Sequence, residues 1–162
     1  MLLSIKNLSA SIEDKKIINK LSIDIGKGET HALMGQNGSG KSTFSNILAG
    51  KEEYDIKVDE ITFKGKNLLN QNIEERSHNG LFLAFQYPIE IPGVSINSFL
   101  RTALNSKLKK EGKPEVDPLS FAKEIKEIAN TLDIPISMLS RSVNEGFSGG
   151  EKKKFEILQM SV

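Results

Sequence analysis

Cysteine is absent from the 162 residues, and histidine occurs only as His31 and His78. The first absence excludes a disulfide scaffold, a thiol nucleophile and a cysteine-held zinc or iron–sulfur site. The second leaves a histidine-built metal centre short of ligands. Charge of one sign is also lacking. The chain carries 22 Lys+Arg against 21 Asp+Glu, a net charge of +1. Residues 1–80 hold 11 basic and 11 acidic side chains, so charge does not divide the chain either. That balance argues against a broadly basic nucleic-acid binder and leaves a local phosphate site open. No apolar run approaches the ~20 residues that span a bilayer. The start, Met1-Leu2-Leu3-Ser4-Ile5-Lys6, lacks a signal-peptide layout because Lys6 cuts the apolar run short. With a mean hydropathy of −0.29, a soluble, cytoplasmic chain is expected. Its length suits one domain, or a domain with a subdomain.

Hydrophobic patterning predicts an α/β core followed by a helical segment. Leu2–Leu8 and Ile17–Ile25 read as strands, the second alternating Leu21, Ile23 and Ile25 with polar residues. Thr30–Met34 reads as a short strand running into a glycine-rich stretch, and Ser42–Leu48 as a helix stopped by Gly50. Asp59–Phe63 and Leu81–Phe85 are further strand candidates. The latter is wholly apolar, as expected of a strand buried on both faces. From Ser95 the period becomes helical. Ile96, Phe99, Leu100, Ala103, Leu104 and Leu108 share one face; Phe121, Ile125, Ile128 and Leu132 share another. Both stripes read as core packing, and Ser120 as the cap region of the second helix. The expected divisions are 1–94, an α/β core; 95–146, a helical subdomain; and 147–162, a motif with its following helix.

Gly35-Gln36-Asn37-Gly38-Ser39-Gly40-Lys41-Ser42, with Thr43 following, fits the pattern G-x-x-x-x-G-K-[ST]. Glycines let successive backbone N–H groups point inward at phosphate oxygens. The helix that follows turns its positive end toward the same anion. Lys41 adds a full charge near the outer phosphates, and the Ser42 hydroxyl suits the oxygen preference of Mg²⁺. A second stretch, Phe147-Ser148-Gly149-Gly150-Glu151, places a hydroxyl and two glycines before a predicted helix, Glu151–Met160. By itself that is no more than a helix cap.

Together the two motifs resemble the ATP-binding-cassette (ABC) ATPases over essentially the whole chain. Their phosphate loop is the Walker A motif, and Phe147–Glu151 corresponds to their L-S-G-G-Q signature. Gln86, after Leu81–Phe85, stands where their Q-loop glutamine stands. Longer stretches narrow the resemblance. Gly28–Gly35, Phe82–Val94, and Asn144–Lys153 with Glu156-Ile157-Leu158-Gln159 are similar to the branch that powers Suf iron–sulfur cluster assembly. The resemblance implies ATP and Mg²⁺ as cofactors. It implies that Gly35 to Thr43 hold phosphates, that Lys41 and Gln86 act in catalysis, and that Ser42 and Gln86 approach the metal. Ser148, Gly149, Gly150 and Glu151 would face the nucleotide of a second ATPase domain in a head-to-tail dimer. SufB- and SufD-like scaffold proteins are the implied partners.

Some positions depart from that pattern. Ile12 occupies the place of the usual adenine-stacking aromatic, and Lys154 and Phe155 stand where Arg and Asn are usual. Members of the family continue into a Walker B strand carrying a metal-supporting Asp and a water-polarising Glu. The sequence stops at Val162 ahead of these, so an ABC fold lacking that C-terminal part, with negligible ATP hydrolysis, is expected. Asp59-Glu60 reads as a solvated turn or strand start instead. His31 reads as a packing or hydrogen-bonding residue and His78 as solvated. The ATPase subunit of a membrane transporter and a non-catalytic nucleotide-binding remnant remain alternatives. A nucleic-acid site at Lys107, Lys109, Lys110 and Lys113 is disfavoured, because Glu111 interrupts it and no aromatic is interleaved.

Overall fold

A computed structural model describes residues 1–162, which form two compact units, Met1–Leu83 and Ala84–Val162. The first unit is built on an antiparallel sheet. Strands β1 (Leu3–Ile12) and β2 (Lys15–Ile25) make a long hairpin. Helix α1 (Lys41–Ala49) follows, then β3 (Asp55–Lys57), β4 (Glu60–Phe63) and β5 (Lys66–Asn67). The sheet order is β2-β1-β4-β5, with β3 paired to the far end of β1. Strict alternation along β1 breaks between Ile5 and Leu8, where the register shifts and Asn7 takes φ 55°. That bulge resets the pleat, so Leu3 and Ile5 before it and Leu8 and Ala10 after it are all buried. Phe44 and Ile47 of α1 join these residues, Ile61 and Leu68 in one core. Gly50, at φ 96°, ends α1, its N–H returning to Asn46 O at 3.0 Å. The short α2 (Ile73–His78) starts with a capping box between Asn72 and Glu75.

The second unit is helical. Its only sheet pairs β6 (Ile91–Ser95) with β7 (Ser142–Val143). Between them run α3 (Ile96–Lys110) and α4 (Pro118–Thr131), and α5 (Gly149–Ser161) closes the unit. The second predicted stripe packs inward, and so does most of the first: Ile96, Leu100, Phe121 and Ile125 are buried with Phe155 and Leu158, whereas Ala103 is exposed. Phe155 lies between the Phe99 and Phe147 rings, at centroid distances of 6.3 and 6.4 Å. Phe155 is thus a core ring; polar Asn there would leave its amide without water.

The structure corrects several expectations. Thr30–Met34 and Leu81–Phe85 form no strand. A strand exists through its ladder, and neither run has a hydrogen-bonded neighbour in this chain. Both are consequently open to solvent: Met34 is 85% exposed and Phe85 51%. The cap of α4 is Asp117, three residues before Ser120. Its carboxylate accepts from the N–H groups of Leu119 and Ser120 at 2.9 and 3.0 Å, and Pro118 takes the first helical position. The His78 side chain is largely covered, 4.0 Å from Glu74 one helical turn back. His31, off any strand, bonds Glu29 Oε2 at 3.0 Å.

Candidate functional site

The phosphate loop bends through left-handed backbone at Gly35, Gly38 and Gly40, where φ is 155°, 82° and 92°. A Cβ on Gly35 would lie 2.6 Å from Ser39 Oγ, and one on Gly40 would press the Ile17 carbonyl at 3.3 Å. Glycine is therefore demanded by the loop's own shape at both positions. Ser39 N–H donates to Gln36 O at 3.2 Å and tightens the turn. Gly40 is the N-cap of α1, yet no side chain caps that helix and no acid lies in its first turn. Its first N–H groups are left without an intrahelical acceptor, beside the positive end of the helix dipole.

Lys41 folds back over this loop. Its Nζ donates to Gly35 O at 2.7 Å and Gln36 O at 2.8 Å. The ammonium is held by neutral carbonyls of the loop, with no carboxylate on it. Exposed Ser42 and half-buried Thr43 stand beside it in the first turn. An uncapped helix end, a loop that tolerates no side chain at two glycines and a cation on neutral acceptors together fit a phosphate chain. Upstream, Glu29 steadies the approach by accepting from Gly26 N–H at 2.7 Å. That bond first, and His31 second, hold its carboxyl below the usual carboxylate range.

Gln86, Ser148, Gly149, Gly150 and Glu151 lie in the second unit. Gln86 is exposed, in an irregular run. Ser148 caps α5: its Oγ accepts from Glu151 N–H at 3.3 Å, while Glu151 Oε2 accepts from Ser148 N–H at 2.8 Å. Ser148 N–H, then the Ser148 hydroxyl, then the Arg141 guanidinium hold the Glu151 carboxyl below its ordinary value. Gly149 and Gly150 differ from the loop glycines. A Cβ at either would meet nothing within 4 Å, and neither has positive φ.

Two arginines escaped the motif reading. Only three of the 22 basic residues are Arg: Arg76, Arg101 and Arg141. Arg76 is 8% exposed and donates to Ile47 O, Leu48 O, Leu68 O and Gln71 O at 2.7, 3.0, 2.6 and 3.0 Å. Burial pushes its pKa down. It sits on the last carbonyls of α1, the helix whose other end is the phosphate loop. Arg141 clasps Glu151. Their rarity in a lysine-rich chain was the available signal, since only the planar guanidinium satisfies several fixed acceptors at once.

Comparison with known proteins decides the family. The profile of the ABC transporter family matches residues 18–162. The chain belongs to that family. The probable ATP-dependent transporter ycf16 of Trieres chinensis is 59% identical over 98% of this chain and 63% of its own length. The probable ATP-dependent transporter SufC of Escherichia coli (strain K12) is 52% identical over 99% of this chain and 65% of its own. The chain thus spans under two thirds of these relatives. Among solved structures, an ATP-binding subunit of an ABC transporter matches with TM-score 0.78 at 21% identity, covering 98% of this chain and 61% of that one. An ATP-binding cassette of another matches at 0.70 and 27% identity, covering 98% and 64%. The fold is that of an ABC ATPase. No helix of this ABC chain is long and apolar enough to cross a membrane.

Proposed function

We propose that the chain is the nucleotide-binding part of a SufC-type ATPase, binding ATP with Mg²⁺ and driving iron–sulfur cluster assembly on soluble SufB- and SufD-like scaffolds. The uncapped N-terminus of α1, with Lys41 parked on loop carbonyls, carries the nucleotide reading. Likeness to SufC and ycf16 supports the branch. In this reading Gly35, Gln36, Asn37, Gly38, Ser39, Gly40 and Thr43 line the phosphates through backbone N–H groups. Lys41 exchanges its neutral carbonyl partners for charged phosphate oxygens, a stronger charge-assisted bond. Ser42 and Gln86 approach the metal ion. Bound MgATP supplies the phosphoanhydride, whose in-line cleavage by water is the reaction of the whole ATPase of which the chain is the nucleotide-binding part. Ser148, Gly149 and Gly150 face the nucleotide held by a second ATPase domain, head to tail, in the cytoplasm, and Glu151 closes the cap beside them. Nucleotide-driven closure of the pair moves the scaffold.

The names of the relatives favour a second reading, an ATPase subunit serving a membrane permease. Affinity purification from the native cell separates the two. Co-purification of soluble scaffold proteins is expected; recovery of a permease without them would contradict the proposal.

A further inference from the structure

Arg141 converges on the signature stretch from one side. Its guanidinium lies 2.8 Å from Glu151 Oε1 and 3.3 and 3.4 Å from the carbonyls of Gly146 and Glu145. It also rests 4.3 Å from the centroid of the Phe147 ring. Its own carbonyl accepts from Ile96 N–H at 3.0 Å, which ties it to the start of α3. Glu145, Gly146, Phe147 and Glu151 are thereby held by one side chain that is itself anchored.

Glu151 is the carboxylate of the first turn of α5, immediately after Gly150. Its second oxygen is committed to Ser148 N–H. It therefore stays beside the glycines, where an uncompensated charge would oppose any approaching anion. Gly149 and Gly150 have no reason within this chain to be glycine. In a helix each costs roughly 1 kcal/mol against alanine. An outside group that must come close to their backbone accounts for them.

We propose that Arg141 is a positioning residue for the signature stretch. It cancels the charge of Glu151 beside Gly149 and Gly150, so that the glycine N–H groups can meet the terminal phosphate on a second copy of the chain. This rests on the reading of Phe147–Glu151 given above. Arg141 is 40% exposed, so its replacement leaves the core intact. The pair makes a prediction that a purely structural clamp does not. Removing the cation harms function by unmasking the carboxylate, so removing the carboxylate as well restores it. Glutamine at 151 keeps the reciprocal cap.

The test compares wild type, Arg141→Gln and Arg141→Gln/Glu151→Gln by sedimentation velocity with MgATP, with MgADP as control. MgATP affinity is measured separately by fluorescence titration. All three are expected to bind MgATP alike. Arg141→Gln should need about fivefold more protein to self-associate, and the double variant should return to within about twofold of wild type. Equal association of Arg141→Gln and wild type would overturn the inference. So would a loss that Glu151→Gln does not restore, or wild type that binds MgATP without associating. Each of these leaves the nucleotide reading standing. Failure of wild type to bind MgATP would remove that reading and this inference together.

Discussion

Arg76 shows how much of the phosphate-loop unit hangs on one side chain. Its guanidinium supplies the cation that the end of α1 lacks, since no basic residue lies in the last turn of that helix. Arg76→Leu removes the guanidinium from the Ile47, Leu48 and Leu68 carbonyls; Ile47 O and Leu68 O keep the N–H groups of Gly50 and Gln71, while Leu48 O loses its side-chain donor. A loss of about 3 kcal/mol is expected, read as a lower urea midpoint. Arg76→Lys should recover only part of it, because an ammonium cannot span acceptors arranged around a fork. Lys41 and Ser42 could be singled out in the sequence because they belong to a contiguous pattern. Arg76 could not, because its acceptors are main-chain carbonyls from two separate segments. Only the fold assembles them, and a carbonyl leaves no mark in the sequence. The packing role of Phe155 was hidden for a related reason. Counted along the motif it marks a departure from a pattern, whereas in space it fills the centre of its unit. Phe155→Ala should cost about 3–5 kcal/mol in a thermal or denaturant melt.

Helices were easier to read than strands. The stripes of α3 and α4 are local and periodic, so the sequence states them directly. Thr30–Met34 and Leu81–Phe85 are equally apolar, but a strand is stabilised by the segment beside it, and local pattern says nothing about whether that segment is at hand. The caps of α4 and α5 lead to a pH prediction. Bonds from Ser120, and after these from Leu119, hold the Asp117 carboxyl below its ordinary range; bonds from Ser148 and Arg141 do the same for Glu151. A depressed folded-state pKa contributes stability that is complete above the unfolded value and is lost as pH falls through the folded one. Helix stability measured by circular dichroism in urea should therefore be flat above about pH 5 and decline below about pH 4. The glycines of α5 give the converse experiment. Gly150→Ala should leave the melting temperature unchanged or raise it, by up to about 1 kcal/mol of stability, because its Cβ meets nothing in the chain. The same variant should abolish MgATP-dependent self-association. Loss of both stability and association would mean that the glycine serves the fold.

At the scale of the whole molecule, composition and motif point the same way. The near-neutral charge, which first only discouraged nucleic-acid binding, is compatible with the anion sites proposed at two helix ends. The family was legible from those two ends and from the stretches around them. The Arg76 anchor was not, because it depends on contacts with a helix distant in sequence. The central claim is that the loop before α1 holds the phosphates of ATP. Isothermal titration of the purified chain with MgATP, beside the Lys41→Ala variant, tests it most directly. Saturable binding at about one site per chain is expected, weakened about tenfold or more in Lys41→Ala. No binding, or equal binding by the two proteins, would contradict it.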